Sequence, residues 1–303
     1  MTLVTGLPAN ILAFYTFCMK VRRKPAPIDI LLLNLTISDL IFLLFLPFRM
    51  VEAISDSWVL PNFLCPLSGF IFYSTIYTST FFLMGVSVER YFGVAYPIQY
   101  KMNRKPMYAV WVSVFFWVIS AAHCSIVYII QYQKPGNGTH NVSSCYEEFT
   151  KEQLKILLPV RFELCLVLFC FPFLITSFCY INFIRILTTL PNISRRRKQR
   201  AIGLALGTLL VFILCFCPYN ISHVVGFVKW ESPTWRVDSL LLSTFNACLD
   251  PIIFYFSSSE VQNSVTNCIS GVLGRIRAIN LCKRLCPAAY TVDEQMESSS
   301  NNL

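Results

Sequence analysis

Residues 62–91 read NFLCPLSGFIFYSTIYTSTFFLMGVSVERY, an apolar run that opens beside Cys65 and closes on Glu89, Arg90 and Tyr91. No charge interrupts it between Cys65 and Glu89, which exceeds the ~20 residues a helix needs to cross a bilayer. The run is a membrane span. A cysteine at one end fits an oxidising compartment, and a Glu-Arg-Tyr at the other must meet water or be paired. This polarity predicts Cys65 outside the cell and Arg90 in the cytoplasm.

The composition agrees. The 303 residues are 55% hydrophobic and only 14% charged, against about 25% charged in a soluble domain. The net charge of +9 does not indicate nucleic acid, because Lys and Arg fall between apolar runs and not on one polar face; the positive-inside rule accounts for them. Most of the 13 cysteines lie inside apolar runs as small hydrophobes, and no Cys/His cluster has zinc spacing.

Working outward from the central run, six more spans are expected: Thr2 to Met19, Ile28 to Phe48, Tyr108 to Ile130, about Leu157 to Ile186, Ala201 to Val228, and about Trp235 to Phe256. Lys20, Arg22, Arg23 and Lys24 after the first, and Arg195, Arg196, Arg197, Lys198 and Arg200 before the sixth, predict cytoplasmic ends there. The N-terminus is then outside and the tail inside. A signal peptide would carry its basic residues before the apolar run, and here they follow it. The loop from Gln131 to Ile156 holds two sequons, at Asn137 and Asn141, which are expected to be glycosylated. It also holds Cys145, the one cysteine in an outer loop, so Cys65 is its available disulfide partner. The sequons at Asn34, inside a span, and Asn192, on the inner side, are expected to be idle.

Several polar groups fall where a bilayer tolerates few. Asp39 sits mid-span, which is costly unless it faces a polar interior, and Asn10 and serine hydroxyls are its candidate partners. Pro218 removes a backbone donor and kinks the sixth span. The outer third gathers Arg161, Arg236, His123, His223, Tyr219, Tyr73 and Tyr77. Two guanidiniums that stay charged require anions. These are either a ligand carboxylate held by charge-assisted hydrogen bonds or the loop residues Glu147 and Glu148, whereas Glu163, two residues from Arg161, is off its face. A lone helical His is usually a satisfied core group, and two isolated ones do not make an enzyme. Internal repeats and broken spans, the marks of a transporter, are not seen in the sequence.

Glu89-Arg90-Tyr91, Asp39 within Leu33–Leu40, and Asp250-Pro251-Ile252-Ile253-Phe254 resemble the rhodopsin-like (class A) G-protein-coupled receptors. The strings Gly6–Asn10, Phe48–Ala53, Leu157–Arg161, Pro218–His223 and Phe256–Ser259 are similar to the short-chain free fatty acid receptors in particular. The fold implied is an all-α, seven-transmembrane helix bundle over residues 1–257, a short amphipathic cytoplasmic helix over 258–270 and a disordered tail over 271–303. The resemblance implies a plasma-membrane receptor for acetate, propionate or butyrate, with Arg161, Arg236, His123 and His223 around the carboxylate and Tyr219 and Tyr73 beside them. It further implies that Glu89, Arg90, Tyr91, Pro218, Asp250 and Pro251 serve activation and coupling to a heterotrimeric G protein, with arrestin as a further partner. Sodium is expected at Asp39, and no other cofactor. Phe216 and Phe254 stand where the pattern has Trp and Tyr, which puts those parts of the activation machinery in question. Asn10 lies nearer the chain start than the pattern implies, so the outer half of the first helix is expected to be missing. Cys268, Cys282 and Cys286 are candidates for palmitoylation or remain free thiols.

Overall fold

The computed structural model describes residues 2–55, 57–103, 105–132, 145, 149–191 and 194–271. Seven stretches are helical, long and apolar enough to cross a membrane: Thr2–Arg23, Pro27–Ser55, Leu64–Ala95, Pro106–Ile126, Lys151–Thr189, Lys198–Lys229 and Arg236–Tyr255, here spans one to seven. Among the described residues there is no strand. The all-α, seven-span fold expected from the sequence is the one observed. Several ends differ from the expected ones, and at span five a cap sets the start. Span five starts six residues before Leu157, where Thr150 and Gln153 form a reciprocal capping box: the Gln153 N–H donates to the Thr150 hydroxyl at 3.3 Å and the Thr150 N–H to Gln153 Oε1 at 3.0 Å.

Span three is the centre of the bundle. Its apolar window is 89% buried, against 28% for span four at the periphery. What lets it sit there is a run of small and hydroxylated residues, which allow close helix approach and hydrogen bonds in an apolar solvent. Ser38 of span two donates to the Thr75 carbonyl and lies against the Ser79 hydroxyl, both at 3.1 Å. A Cβ on Gly85 would meet Leu31 at 3.2 Å and Phe116 at 3.3 Å, so spans two and four close on that point. Trp117 Nε1 donates to Asn34 Oδ1 at 3.2 Å, joining four to two. Spans one and seven are tied by Asn10, whose amide donates to the Ala247 carbonyl at 2.8 Å.

The kink expected at Pro218 takes the form of a wide turn, and span five repeats it. A π-helical turn occupies Phe212–Phe216 before Pro218, and another Cys165–Cys170 before Pro172. Widening relieves the clash of the proline ring with the preceding turn but leaves carbonyls without their usual donors. Neighbouring spans supply them. Thr80 Oγ1 of span three donates to the Leu168 carbonyl at 2.8 Å, shared with Tyr77 at 2.7 Å, and Ser243 Oγ of span seven donates to the Cys215 carbonyl at 2.8 Å.

The two aromatic departures are packed. Phe254 is fully buried, edge-on to Phe17 of span one at 5.5 Å. Phe216 is fully buried against Phe212 at 5.7 Å. Contacts divide the chain into Met1–Ser258 and Ser259–Leu303. Within the second unit, residues 259–271 are helical, and the tail beyond, with Cys282 and Cys286, lies outside the described residues.

Removing the Ser243 hydroxyl leaves the Cys215 carbonyl without its interhelical donor. Ser243→Ala is expected to destabilise the bundle by about 0.6–1.7 kcal/mol. A lowered Tm of the purified protein in detergent checks this, and an unchanged Tm contradicts it.

Candidate functional site

At the Cys65 end of the bundle, spans three, five, six and seven enclose a cavity of about 10 Å³, room for one water-sized body. It is lined by Tyr73, Tyr77, Arg161, Leu164, Tyr219, His223 and Arg236. Helical spacing delivers them: Tyr73 and Tyr77 are one turn apart on span three, Tyr219 and His223 one turn apart on span six. Arg236 opens the helix Arg236–Ser243. The arginines are 6% and 3% exposed, so both charges are withdrawn from water.

The polar groups around them are mostly neutral. Arg161 Nη1 donates to Ser232 Oγ at 3.2 Å, and its guanidinium lies 5.1 Å from the centre of the Phe149 ring. Arg236 lies within interaction distance of the Tyr73 and Tyr219 hydroxyls. The Tyr73 and Tyr219 rings are nearly parallel at 6.2 Å, and Tyr219 meets His223 edge-on at 4.4 Å. Tyr77 Oη bonds His223 Nε2 at 3.2 Å and donates to Asn220 Oδ1 at 3.4 Å. His223 Nδ1 is buried with no partner among the described residues. The two guanidiniums are close enough to repel one another, and among the described residues no carboxylate pairs with Arg161. Glu147, Glu148, Asn137 and Asn141 lie outside the described residues.

Of the expected ligand set, the fold brings together Arg161, Arg236, His223, Tyr219 and Tyr73, and leaves out His123. His123 Nδ1 instead pairs with Glu163 Oε1 at 2.9 Å, with side chains 31% and 42% exposed. Glu163 does leave the Arg161 face, and what it finds there is the His of peripheral span four. Ser232 had no signal in sequence. It reaches Arg161 because Trp230 ends span six in a left-handed conformation, φ 54°, which a bulky residue rarely adopts. The connection then folds onto Gly226, where a Cβ would stand 3.1 Å from the Glu231 carbonyl. Cys65 and Cys145 are joined by a disulfide beside the site.

Two further polar loci lie away from the cavity. Asp39 and Asp250 are fully buried within interaction distance of each other. Asp39 Oδ2, both Asp250 oxygens, Asn246 Oδ1 and Asn10 Oδ1 are buried without hydrogen-bond partners among the described residues. Such an oxygen set suits a hard cation. Toward the Arg90 end, Glu89 Oε2 accepts a hydrogen bond from Tyr100 Oη at 2.5 Å, and Tyr100 belongs to the short helix Pro97–Asn103. Tyr91 packs on Phe178 at 6.0 Å. Pro218 sits in the first turn after the wide turn of span six and Pro251 within the last helix of span seven.

The family model described as 7 transmembrane receptor (rhodopsin family) matches residues 9–254. Free fatty acid receptor 3 of Rattus norvegicus is 52% identical over 263 residues, 86% of this chain and 81% of that protein. Free fatty acid receptor 2 of Mus musculus is 51% identical over 283 residues, 90% and 86% of the two chains. Free fatty acid receptor 1 of Macaca fascicularis is 33% identical over 263 residues, 82% and 86%. The chain belongs to the rhodopsin family of seven-transmembrane receptors: a multi-pass plasma-membrane signalling protein and not an enzyme, with a small-molecule ligand and a G protein as partners.

Proposed function

We infer that this receptor responds to short-chain fatty acids, acetate, propionate and butyrate, through their carboxylate. The observation that carries the reading is the convergence of buried Arg161 and Arg236 on one small cavity, with no carboxylate on Arg161 among the described residues. Charge-assisted hydrogen bonds from two guanidiniums suit a single carboxylate. Tyr73, Tyr219 and the open Nδ1 of His223 complete the polar wall, while His123 braces span four against Glu163. The names of the relatives, free fatty acid receptors 2 and 3, support the ligand class. At a ceiling near −1.5 kcal/mol per heavy atom, a ligand of roughly four to six such atoms gains at most about −6 to −9 kcal/mol, so its affinity is modest and most of it comes from the carboxylate.

In this reading the Cys65 end is extracellular, with the N-terminus outside and the tail in the cytoplasm, as the basic loops imply. Residues 1–257 form the receptor domain, 258–270 the amphipathic helix and 271–303 the tail. Asn137 and Asn141 carry glycans, and Cys268 a palmitoyl group. The carboxylate draws spans five, six and seven together, favouring a state in which span six swings at its other end about the wide turn before Pro218. Glu89, Arg90 and Tyr91 then form the seat for an inhibitory or phospholipase-coupled G protein, with Asp250 and Pro251 transmitting the shift and arrestin following on the tail. Sodium held by Asp39 and Asp250 favours the resting state.

G-protein activation in cells, titrated with acetate, propionate, butyrate and dodecanoate, tests the ligand class. Response to the short acids only is expected. Arg161→Ala or Arg236→Ala, at unchanged surface expression, should lose at least about 30-fold in potency, since stripping one partner from a buried charge pair costs about 2 kcal/mol or more. A retained response, or a lower threshold for dodecanoate, overturns the reading; Arg90→Ala that still signals overturns its role. Exchanging sodium for choline should raise ligand affinity in the wild type and leave Asp39→Asn unchanged, and equal effects in both refute the sodium site.

A further inference from the structure

Cys145 is held at three points. Its sulfur is bonded to Cys65 of span three. Its backbone N–H donates to Glu52 Oε1 at 2.5 Å, and its carbonyl accepts from Arg49 Nη1 at 3.1 Å. The same Arg49 nitrogen donates to Glu52 Oε2 at 2.7 Å. Arg49 and Glu52, near the Cys65 end of span two, thus offer the loop backbone one acceptor and one donor, as a neighbouring strand would. Their side chains are only 15% and 7% exposed, so the pair is little screened by salt. The charge of Arg49 is met within the fork.

The clamped residue is close in sequence to the site. Three residues separate Cys145 from Phe149, whose ring lies against the Arg161 guanidinium, and Thr150 caps span five. A clamp at Cys145 therefore fixes the chain four residues before the ring that lies on Arg161. We propose that the Arg49–Glu52 pair is a positioning element of the receptor: it clamps the loop at Cys145, holds the Phe149 cover on Arg161, and sets how firmly a ligand is retained without touching that ligand. The part concerning retention rests on the carboxylate reading above; the clamp itself does not.

Two readouts on the full-length chain separate these. In the first, free thiols are blocked and the Cys65–Cys145 bond is reduced with tris(carboxyethyl)phosphine in the absence of ligand. Glu52→Gln and Arg49→Met should each speed reduction about tenfold, the scale of one lost hydrogen bond to a charged group. The double variant should be no faster than the singles, and Arg49→Lys, which keeps the charge without the fork, should be intermediate. Wild-type rates in Glu52→Gln and Arg49→Lys alike would overturn the clamp. In the second, propionate potency should fall about tenfold in each single variant and no further in the double, at matched surface expression. If Glu52→Gln leaves potency unchanged or improves it while Arg49→Met loses it, the freed Arg49 is a ligand contact and the proposal is wrong. A wild-type chain deaf to propionate sinks the carboxylate reading, with the reduction arm still deciding the clamp.

Discussion

Two guanidinium groups buried side by side are the constraint on which this receptor depends. Arg161 and Arg236 repel one another in a setting where water screens little. Most of their described neighbours are neutral and replaceable: a serine hydroxyl and an aromatic face for Arg161, two tyrosine hydroxyls for Arg236. Around Arg161 such contacts hold a charge in place without a carboxylate among the described residues. A third arginine nearby, Arg49, is treated differently, because Glu52 meets it directly. Arg49 is thus met by a carboxylate of its own span, whereas Arg161 and Arg236 line the cavity.

The rest of the bundle holds that arrangement. Span three supplies a close-packed axis through its hydroxyls and Gly85. Spans five and six each carry a wide turn ahead of a proline, and the carbonyls concerned are taken by Thr80 and Ser243 of other spans. Those interhelical bonds are weak enough to exchange. The segments that present Arg161 and His223 therefore directly adjoin these wide turns on the same helices. Where rhodopsin-like receptors usually place Trp and Tyr, this chain packs Phe216 and Phe254 into apolar contacts with Phe212 and Phe17. The buried acids Asp39 and Asp250 remain beside this apolar packing, with Asp39 Oδ2 and both Asp250 oxygens lacking hydrogen-bond partners among the described residues.

What the sequence made legible was whatever depends on local spacing or on the bilayer. The central span, its neighbours, and the Arg161, Arg236, His223, Tyr219 and Tyr73 constellation could be read because charges and prolines in apolar runs are costly and therefore few. The early start of span five was also legible, in Thr150 and Gln153, to a reader weighing caps above hydropathy. Other features depended on the rotation of one helix against another, which no single span encodes. His123 faces span five at the periphery because span four is turned that way. Ser232 reaches Arg161 only through a left-handed Trp230 and a glycine contact. The Arg49–Glu52 fork needed the position of Cys145, set by a disulfide across 80 residues.

The most direct measurement is equilibrium binding of propionate and of its neutral isostere propionamide to the purified full-length receptor. If the charges of two buried arginines define the site, propionate binds and propionamide, matched in size but uncharged, does not bind detectably over the same range. Equal binding of both would mean that the cavity recognises shape and not charge, which would contradict the role assigned to Arg161 and Arg236.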